Sequence, residues 1–319
     1  CEFRRNFIKM REQLTHREAA GGGVFNIART NHRGILVENS IGTKIIDNII
    51  EGEGYRTNDV NRIYNGESGV VLYDSRNFEA SNNIFRNMKH AFYPKGIHDG
   101  APALVPGSFH HNRVENCELA HEFNAMASPV TTAREDEFFD IYQNIYVNNS
   151  LIFNIRPVGT TTGPQQWRFV NNTVFNSQPG FSIAGFNASS SVAGMQTMYR
   201  NNIFVGLDLA WDIYNGDYAA SYGRADINYN RYFNVNAFYT VGNLSFGAWQ
   251  ALGQDLNSTV GDPSFVSGNT GDFRLQGTSP ALNAGIDVLN LKGLGVNSQI
   301  NLGAFVSPTQ NEVIGIRGQ

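Results

Sequence analysis

The sequence predicts an all-β solenoid, a parallel β-helix, and three observations carry that expectation. First, an Asn followed by an apolar or aromatic pair returns at Asn48, Asn83, Asn112, Asn144, Asn172, Asn202 and Asn230, at intervals of 35, 29, 32, 28, 30 and 28 residues. Recurrence near a fixed period marks a repeat architecture. Second, each repeat consists of short runs rich in Val, Ile, Phe and Tyr bounded by Asn, Gly, Ser and Asp, which are strand and turn signals. Third, the pattern stops after Asn230 and gives way to a helix-spaced stretch and new motifs, as a capped solenoid requires.

Three short strands per turn, separated by polar corners, bury a continuous interior when the turns stack. In the first clear turn the segments G-V-F-N-I, G-I-L-V-E-N and K-I-I-D-N-I-I are expected to supply the strands. The recurring Asn is expected at a corner, because it tolerates left-handed φ and its amide can bond the equivalent Asn of the next coil. A polar excursion, Met10 to Ala20, is closed by Gly21-Gly22-Gly23. Beyond the coils, Ser245 to Asp255 has helix spacing with Ser245 as N-cap and Gly253 as the stop.

Length alone suggests two domains, but a solenoid grows by adding coils. One elongated body is therefore expected, with coils over 1–240 and a C-terminal helix and capping strands, 241–319, continuing the same solenoid. The chain begins with Cys1 inside a repeat-like phrase (C-E-F-R-R-N-F-I), which reads as a processed or truncated product whose upstream part carried any targeting signal. With 16% charged residues and a formal net charge of -4, the composition argues against a general nucleic-acid or anionic-membrane binder. No run of about 18 apolar residues offers a membrane span. The two cysteines, Cys1 and Cys117, form neither a disulfide framework nor a metal spacing.

The tail carries Trp249, Asp262-Pro263, Phe265, Asp272 to Leu275, Ser279 to Ala281 and Ala284-Gly285. These motifs resemble the end of bacterial secreted right-handed parallel β-helix proteins of the pectin-lyase-like superfamily, in which a tryptophan-bearing helix, a D-P-x-F strand, a D-F-R-L strand and an S-P-A turn close the solenoid. The resemblance implies a right-handed helix and a secreted or cell-surface/periplasmic location, and the capped C-terminal tail argues for a monomer. The superfamily holds lyases, hydrolases, esterases and binders, and its lyases commonly use a Lys or Arg base, often with calcium. The N-K-S and L-R-H-G phrases of alginate and chondroitin lyases of this fold are absent from this sequence.

Aligning the strand that follows each corner Asn fixes which residues share a face. With Val70, Leu72, Phe92, Pro94, Phe153, Ile155, Phe181, Ile183, Trp211 and Ile213 inward, one outward column reads Val71, Tyr93, Glu122, Asn154, Ser182, Asp212. The other reads Tyr73, Lys95, Asn124, Arg156, Ala184, Tyr214. His121 falls inward in this register, beside Phe123, an odd place for an imidazole.

Tyr93, Lys95, Glu122, Asn124, Asn154 and Arg156 would form one patch, with His98, Asp99, Arg134, Glu135 and Asp136 at its margins. Such a patch suits an acidic sugar. Cleaving a uronate chain by β-elimination needs a neutralised carboxylate, a base for the α-proton and a donor to the leaving oxygen. Arg156 fits the first task, Lys95 the second, and Tyr93 or a flanking His the third. Glu122, Asn124, Asn154, His98 and Tyr73 would contact substrate. Glu122, Asn124 and Asn154 are also the oxygen ligands a calcium ion would take.

Two other functions fit the same scaffold. A glycoside hydrolase needs two carboxylates roughly 5 to 9.5 Å apart, and Glu122 and Asp212 would be about 14 Å apart. A non-catalytic carbohydrate-binding or adhesive solenoid would bind glycan without product. On the bland reading, Lys95, Glu122 and Arg156 form a solvated ion-pair ladder on an exposed sheet. Trp167, Trp211, Tyr214, Tyr218 and Tyr222 are either sugar-stacking platforms or internal stacks. His110-His111 and the run Glu135-Asp136-Glu137 with Asp140 are expected to be structural and solvated, respectively.

Overall fold

The computed structural model describes residues 1–10, 33–52, 68–73, 75, 77–95, 107–124, 139–156, 166–177, 182–183, 196–213, 225–239, 243–293 and 295–305. Within them the strands assemble into three long parallel sheets of eight, nine and seven strands, each in sequence order. The first sheet runs from Glu2–Arg4 to Ala225–Asn228, the second from Phe7–Lys9 to Thr259–Val260, and the third from Arg33–Glu38 to Asp212–Ile213. A chain that visits three sheets in rotation, always pairing with the equivalent strand one repeat away, is a parallel β-helix.

Sharp corners explain how such short strands turn. Asp47, Asn82, His111, Gln143, Asn171, Asn201 and Tyr229 all have φ between 54° and 60°. Each stands immediately before a ladder Asn, so the left-handed residue is the neighbour of the recurring Asn and not the Asn itself. The reason is geometric: the left-handed residue turns the chain, and the Asn that follows can then point into the stack. K-I-I-D-N-I-I is accordingly two strands, Lys44–Ile46 and Ile49–Glu51, bent at Asp47. G-V-F-N-I, the Met10 to Ala20 excursion beyond its first residue and the Gly21-Gly22-Gly23 run lie outside the described residues.

The expected Asn ladder is present. Nδ2 of Asn6, Asn48, Asn83, Asn112, Asn144, Asn172 and Asn202 donates to Oδ1 of the next Asn at 2.9–3.3 Å. The same oxygens accept backbone N–H groups, as from Asn112 N to Asn144 Oδ1 at 2.9 Å. Seven ladder asparagines, Asn48 to Asn230, are thus fully buried yet paired, which is the condition for burying an amide without penalty.

The interior is largely aromatic. Phe92 lies 4.9 Å from Phe109, Phe109 lies 4.7 Å from His121, and His121 stacks on Phe153 at 5.1 Å, centroid to centroid. His121 is inward as its register predicts. Its Nε2 meets the Tyr146 hydroxyl at 2.8 Å, and burial lowers its pKa to about 3. It is a neutral core imidazole. Trp167 and Trp211 are also buried, which makes them internal stacks and not sugar platforms; Tyr214, Tyr218 and Tyr222 lie outside the described residues.

At the C-terminal end the helix Phe246–Ala251 forms as expected, with Ser245 Oγ accepting from Ala248 N and Gly253 at φ 87°. Its Trp249 stacks on Trp211 with ring centroids 6.2 Å apart. Asp255 anchors this cap by accepting from Trp249 Nε1 and the Tyr232 hydroxyl, each at 2.8 Å, and from Asn230 Nδ2 at 3.0 Å. Thr259–Val260 then adds the last strand of the second sheet.

The residues after it turn back along the outer face of that sheet. Phe273, Ala304 and Phe305 cover Ile145, while Ala281 and Leu302 cover Ile203 and Val205. Polar clasps fix the overlay: Asn171 Nδ2 donates to Asn301 O and Asn201 Nδ2 to Ile286 O, both at 2.7 Å. No helix among the described residues is long and apolar enough to cross a membrane.

Candidate functional site

The strands of the third sheet begin with an irregularity that decides what faces out. Ala91 and Phe92 are consecutive yet both belong to the interior, as do Ile152 and Phe153. Ala120 and His121 are likewise both fully buried. Gly69 holds the equivalent place: a Cβ there would stand 2.6 Å from Ala91 O and 2.9 Å from Met88 Sδ. Side-chain alternation therefore breaks at the second residue of each strand, and the first residue is turned to the outside. That places Ser68 and His90 on the same side as Tyr93 and Glu122.

These residues form a connected group. Ser68 Oγ lies 3.2 Å from His90 Nδ1, and His90 Nε2 lies 2.8 Å from Glu122 Oε2. The His90 and Tyr93 ring centroids are 5.2 Å apart. The imidazole thus stands between a hydroxyl at Nδ1 and a carboxylate at Nε2. On the preceding coils, Arg33 Nη2 donates to the Tyr73 hydroxyl at 3.3 Å, with the guanidinium over the Tyr73 ring.

Backbone pairing places the other expected residues. Tyr73 pairs with Lys95, Lys95 with Asn124, and Asn124 with Arg156, so these four occupy one column over four successive coils. Val71 pairs with Tyr93, Glu122 with Asn154, Asn154 with Ser182, and Ser182 with Asp212. These pairings follow the register that the sequence alignment assigned, while Ala184 and Tyr214 lie outside the described residues. Lys95 and Arg156 stand two coils apart, about 9.6 Å. His98, Asp99, Arg134, Glu135 and Asp136 lie outside the described residues.

Burial distinguishes this face from an ordinary surface. Ser68, His90 and Glu122 are 4%, 7% and 3% exposed. Glu122 is therefore not part of a solvated ion-pair ladder. Sequence reasoning missed Ser68 and His90, because strict alternation carried back from Phe92 points position 90 inward. A signal existed: two successive core-type residues, Ala91-Phe92 and Ile152-Phe153, at the start of each aligned strand.

Of the three oxygen ligands expected for calcium, the side chains of Asn124 and Asn154 lie outside the described ones. Calcium takes six to eight oxygens, and the carboxylate expected to lead the set, Glu122, lies against His90 Nε2. Among the described residues no three or more His, Cys, Asp or Glu side chains converge as metal ligands. His110, Tyr142 and Glu79 form a second polar cluster on the first sheet. There His110 stacks on Tyr142 at 4.7 Å, its Nδ1 meets His111 Nδ1 at 2.8 Å, and its pKa is lowered to about 4, chiefly by burial. Ion pairs such as Arg168 with Asp140 continue this ladder along the same face, and its role is structural.

No family model matches the chain, and no curated protein matches it. Among solved structures it is similar to the pectate lyase Pel9A, with 15% identity over 86% of this chain and 68% of that one, at a TM-score of 0.44. At that level of similarity nothing of that protein's chemistry transfers to these residues.

Proposed function

We propose that the protein is a depolymerase of an anionic, uronate-containing glycan that cleaves by β-elimination on the outer face of the third sheet. The observation that carries this reading is the column Tyr73, Lys95, Asn124, Arg156 beside the linked group His90, Tyr93, Glu122. Lys95 and Arg156 in one register column of a chain with net charge -4 support the reading that an acidic sugar is held there.

In this mechanism Arg156 grips the uronate carboxylate bidentately, which acidifies the adjacent α-proton. Lys95 removes that proton, the electron pair forms a carbon–carbon double bond, and the bond to the leaving oxygen breaks. Tyr93 delivers a proton to that oxygen. His90, held between Ser68 and Glu122, packs its ring beside that of Tyr93 and fixes where the phenol stands. Glu122 is then a positioning residue, and Asn124 and Asn154 bind sugar hydroxyls. No step is routed through calcium. A secreted or cell-surface location belongs to the same proposal, because polymeric acidic glycans are met outside the cell.

The order Ser68, His90, Glu122 supports a second reading, since nucleophile, base and orienting carboxylate in that sequence are the parts of an acyl-ester hydrolase. Ser68 is 4% exposed, which favours the first reading, because a nucleophile must meet its substrate. A glycoside hydrolase would need a loop acid such as Asp99, Glu135 or Asp136 as its second carboxylate, because Asp212 is three coils from Glu122 by pairing, about 14 Å.

The test is absorbance at about 235 nm, where an unsaturated uronate product absorbs. The protein is incubated with alginate, pectate, chondroitin, heparin and ulvan, with calcium and with chelator. A rise that Lys95→Ala or Arg156→Ala abolishes supports elimination on this face. Ester release abolished by Ser68→Ala, without that rise, supports the second reading. Bound glycan with neither product would leave a binding solenoid.

A further inference from the structure

Where the C-terminal segment folds back over the second sheet it leaves a cleft of about 380 Å³, lined by Phe175, Val205 and Phe233 from the coils and by Asp262, Asn269 and Gln276, among others, from the returning segment. We propose that this cleft binds a neutral sugar unit, one or two pyranose rings, independently of the third-sheet face.

Size comes first. The volume is at the small end of the roughly 300–1,000 Å³ typical of ligand clefts, too little for a polymer and enough for a short sugar. Chemistry narrows the class. The floor offers two partly exposed phenyl rings, Phe175 and Phe233, whose electron-rich faces attract the polarised C–H groups of a pyranose. Sugar hydroxyls both donate and accept, and the rim answers with groups of both kinds. Asn269 is exposed and carries an amide. Gln276 donates Nε2 to Phe265 O at 2.8 Å, which orients its carbonyl oxygen as an acceptor. Asp262 takes the Ser264 N–H at 2.7 Å on one carboxylate oxygen and keeps acceptor capacity on the other.

Charge then excludes acidic sugars. Asp262 is the acidic side chain on the rim, and the nearby Arg231 turns its guanidinium to Asp262 O and Thr259 Oγ1, both at 3.0 Å. A uronate would meet the Asp262 carboxylate, while Arg231 is already engaged by Asp262 O and Thr259 Oγ1. Gly268 completes the wall: a Cβ there would stand 3.1 Å from Phe265 Cδ2 and 3.5 Å from Phe175 Cε2, narrowing the cleft where the rings meet. The site therefore selects the opposite sugar class from the third-sheet face, as a glycan with both neutral and acidic units would require.

The full chain would be titrated with neutral disaccharides of glucose, mannose, xylose and galactose, and with a uronate disaccharide, by calorimetry and saturation-transfer NMR. At least one neutral sugar is expected to bind with millimolar affinity and the uronate more weakly at this cleft. Asn269→Ala combined with Gln276→Ala, both exposed and therefore safe for folding, should weaken that binding by about fivefold or more without changing the thermal midpoint. Phe233→Leu should weaken the binding of the same sugar by a similar factor in calorimetry. Absence of binding by every neutral sugar, or binding indifferent to both variants, or preference for the uronate that Asp262→Asn does not alter, overturns the proposal. Since the readout is binding, it stands or falls apart from any elimination activity.

Discussion

The outer faces of the second and third sheets are made by the same coils at the same spacing, yet they meet opposite fates. On the second sheet the outward residues are Ile145, Val147, Phe175, Ile203, Val205 and Phe233, and the chain's own C-terminal segment covers much of them. On the third sheet they include, beside the apolar Val71 and Leu119, the polar group Ser68, His90, Tyr93 and Glu122, itself buried apart from the half-buried Tyr93. An apolar face is covered because burial stabilises it. A buried carboxylate and imidazole bring desolvation costs that pairing only offsets. The second face therefore holds the fold together, and the third is the one a function would explain.

Variants can break or sharpen that contrast. The largest effect is expected from Phe273→Ala, which empties the contact over Ile145 and should lower unfolding free energy by about 4 kcal/mol in urea titration. Loss of the third-sheet activity in the same variant would show that the two faces are not separable. Arg156→Ala should do the reverse, with a roughly 100-fold fall in elimination rate, about 2.7 kcal/mol of barrier, and no shift in the unfolding midpoint.

Asn144→Ala strikes what both faces share. It leaves the Asn112 N–H and Nδ2 without their acceptor and removes the donor to Phe109 O. A loss of about 2 kcal/mol is expected from unsatisfied buried groups, read in both chemical and thermal unfolding.

Acid provides a graded test of the interior. His121 has its folded pKa depressed to about 3 from 6.5, so the unfolded chain binds the proton first. Its contribution is fully present above pH 6.5 and is lost at about 1.4 kcal/mol per unit as pH falls toward 3. His121→Phe should flatten that limb of the stability profile; an unchanged slope would place the acid sensitivity elsewhere. The smallest effect is expected from Asp140→Asn, which breaks the surface pair with Arg168 and should cost less than about 1 kcal/mol.

Much of the architecture was legible because a solenoid writes its period into the chain. The Asn recurrence located the corners, the runs between them located the strands, and the Ser245 to Gly253 signals bounded the helix. The strand-to-strand register of Tyr73, Lys95, Asn124 and Arg156 followed from alternation downstream of Phe92. Position 90 did not, since the break at Ala91 and Phe92 reflects how the chain leaves the corner at Asn87, where φ is 58°. His121 looked misplaced until Tyr146, which supplies the hydroxyl its ring nitrogen requires, was brought to 2.8 Å.

By itself the sequence determined the coil, its corner ladder and the residues that line up across strands, because each depends on spacing along the chain. Only the tertiary structure decided that Glu122 meets His90, that Trp249 closes on Trp211, and that the tail returns over the second sheet instead of leaving those apolar residues in water. These contacts join residues far apart in sequence, and their energies come from burial and pairing, which no local pattern records.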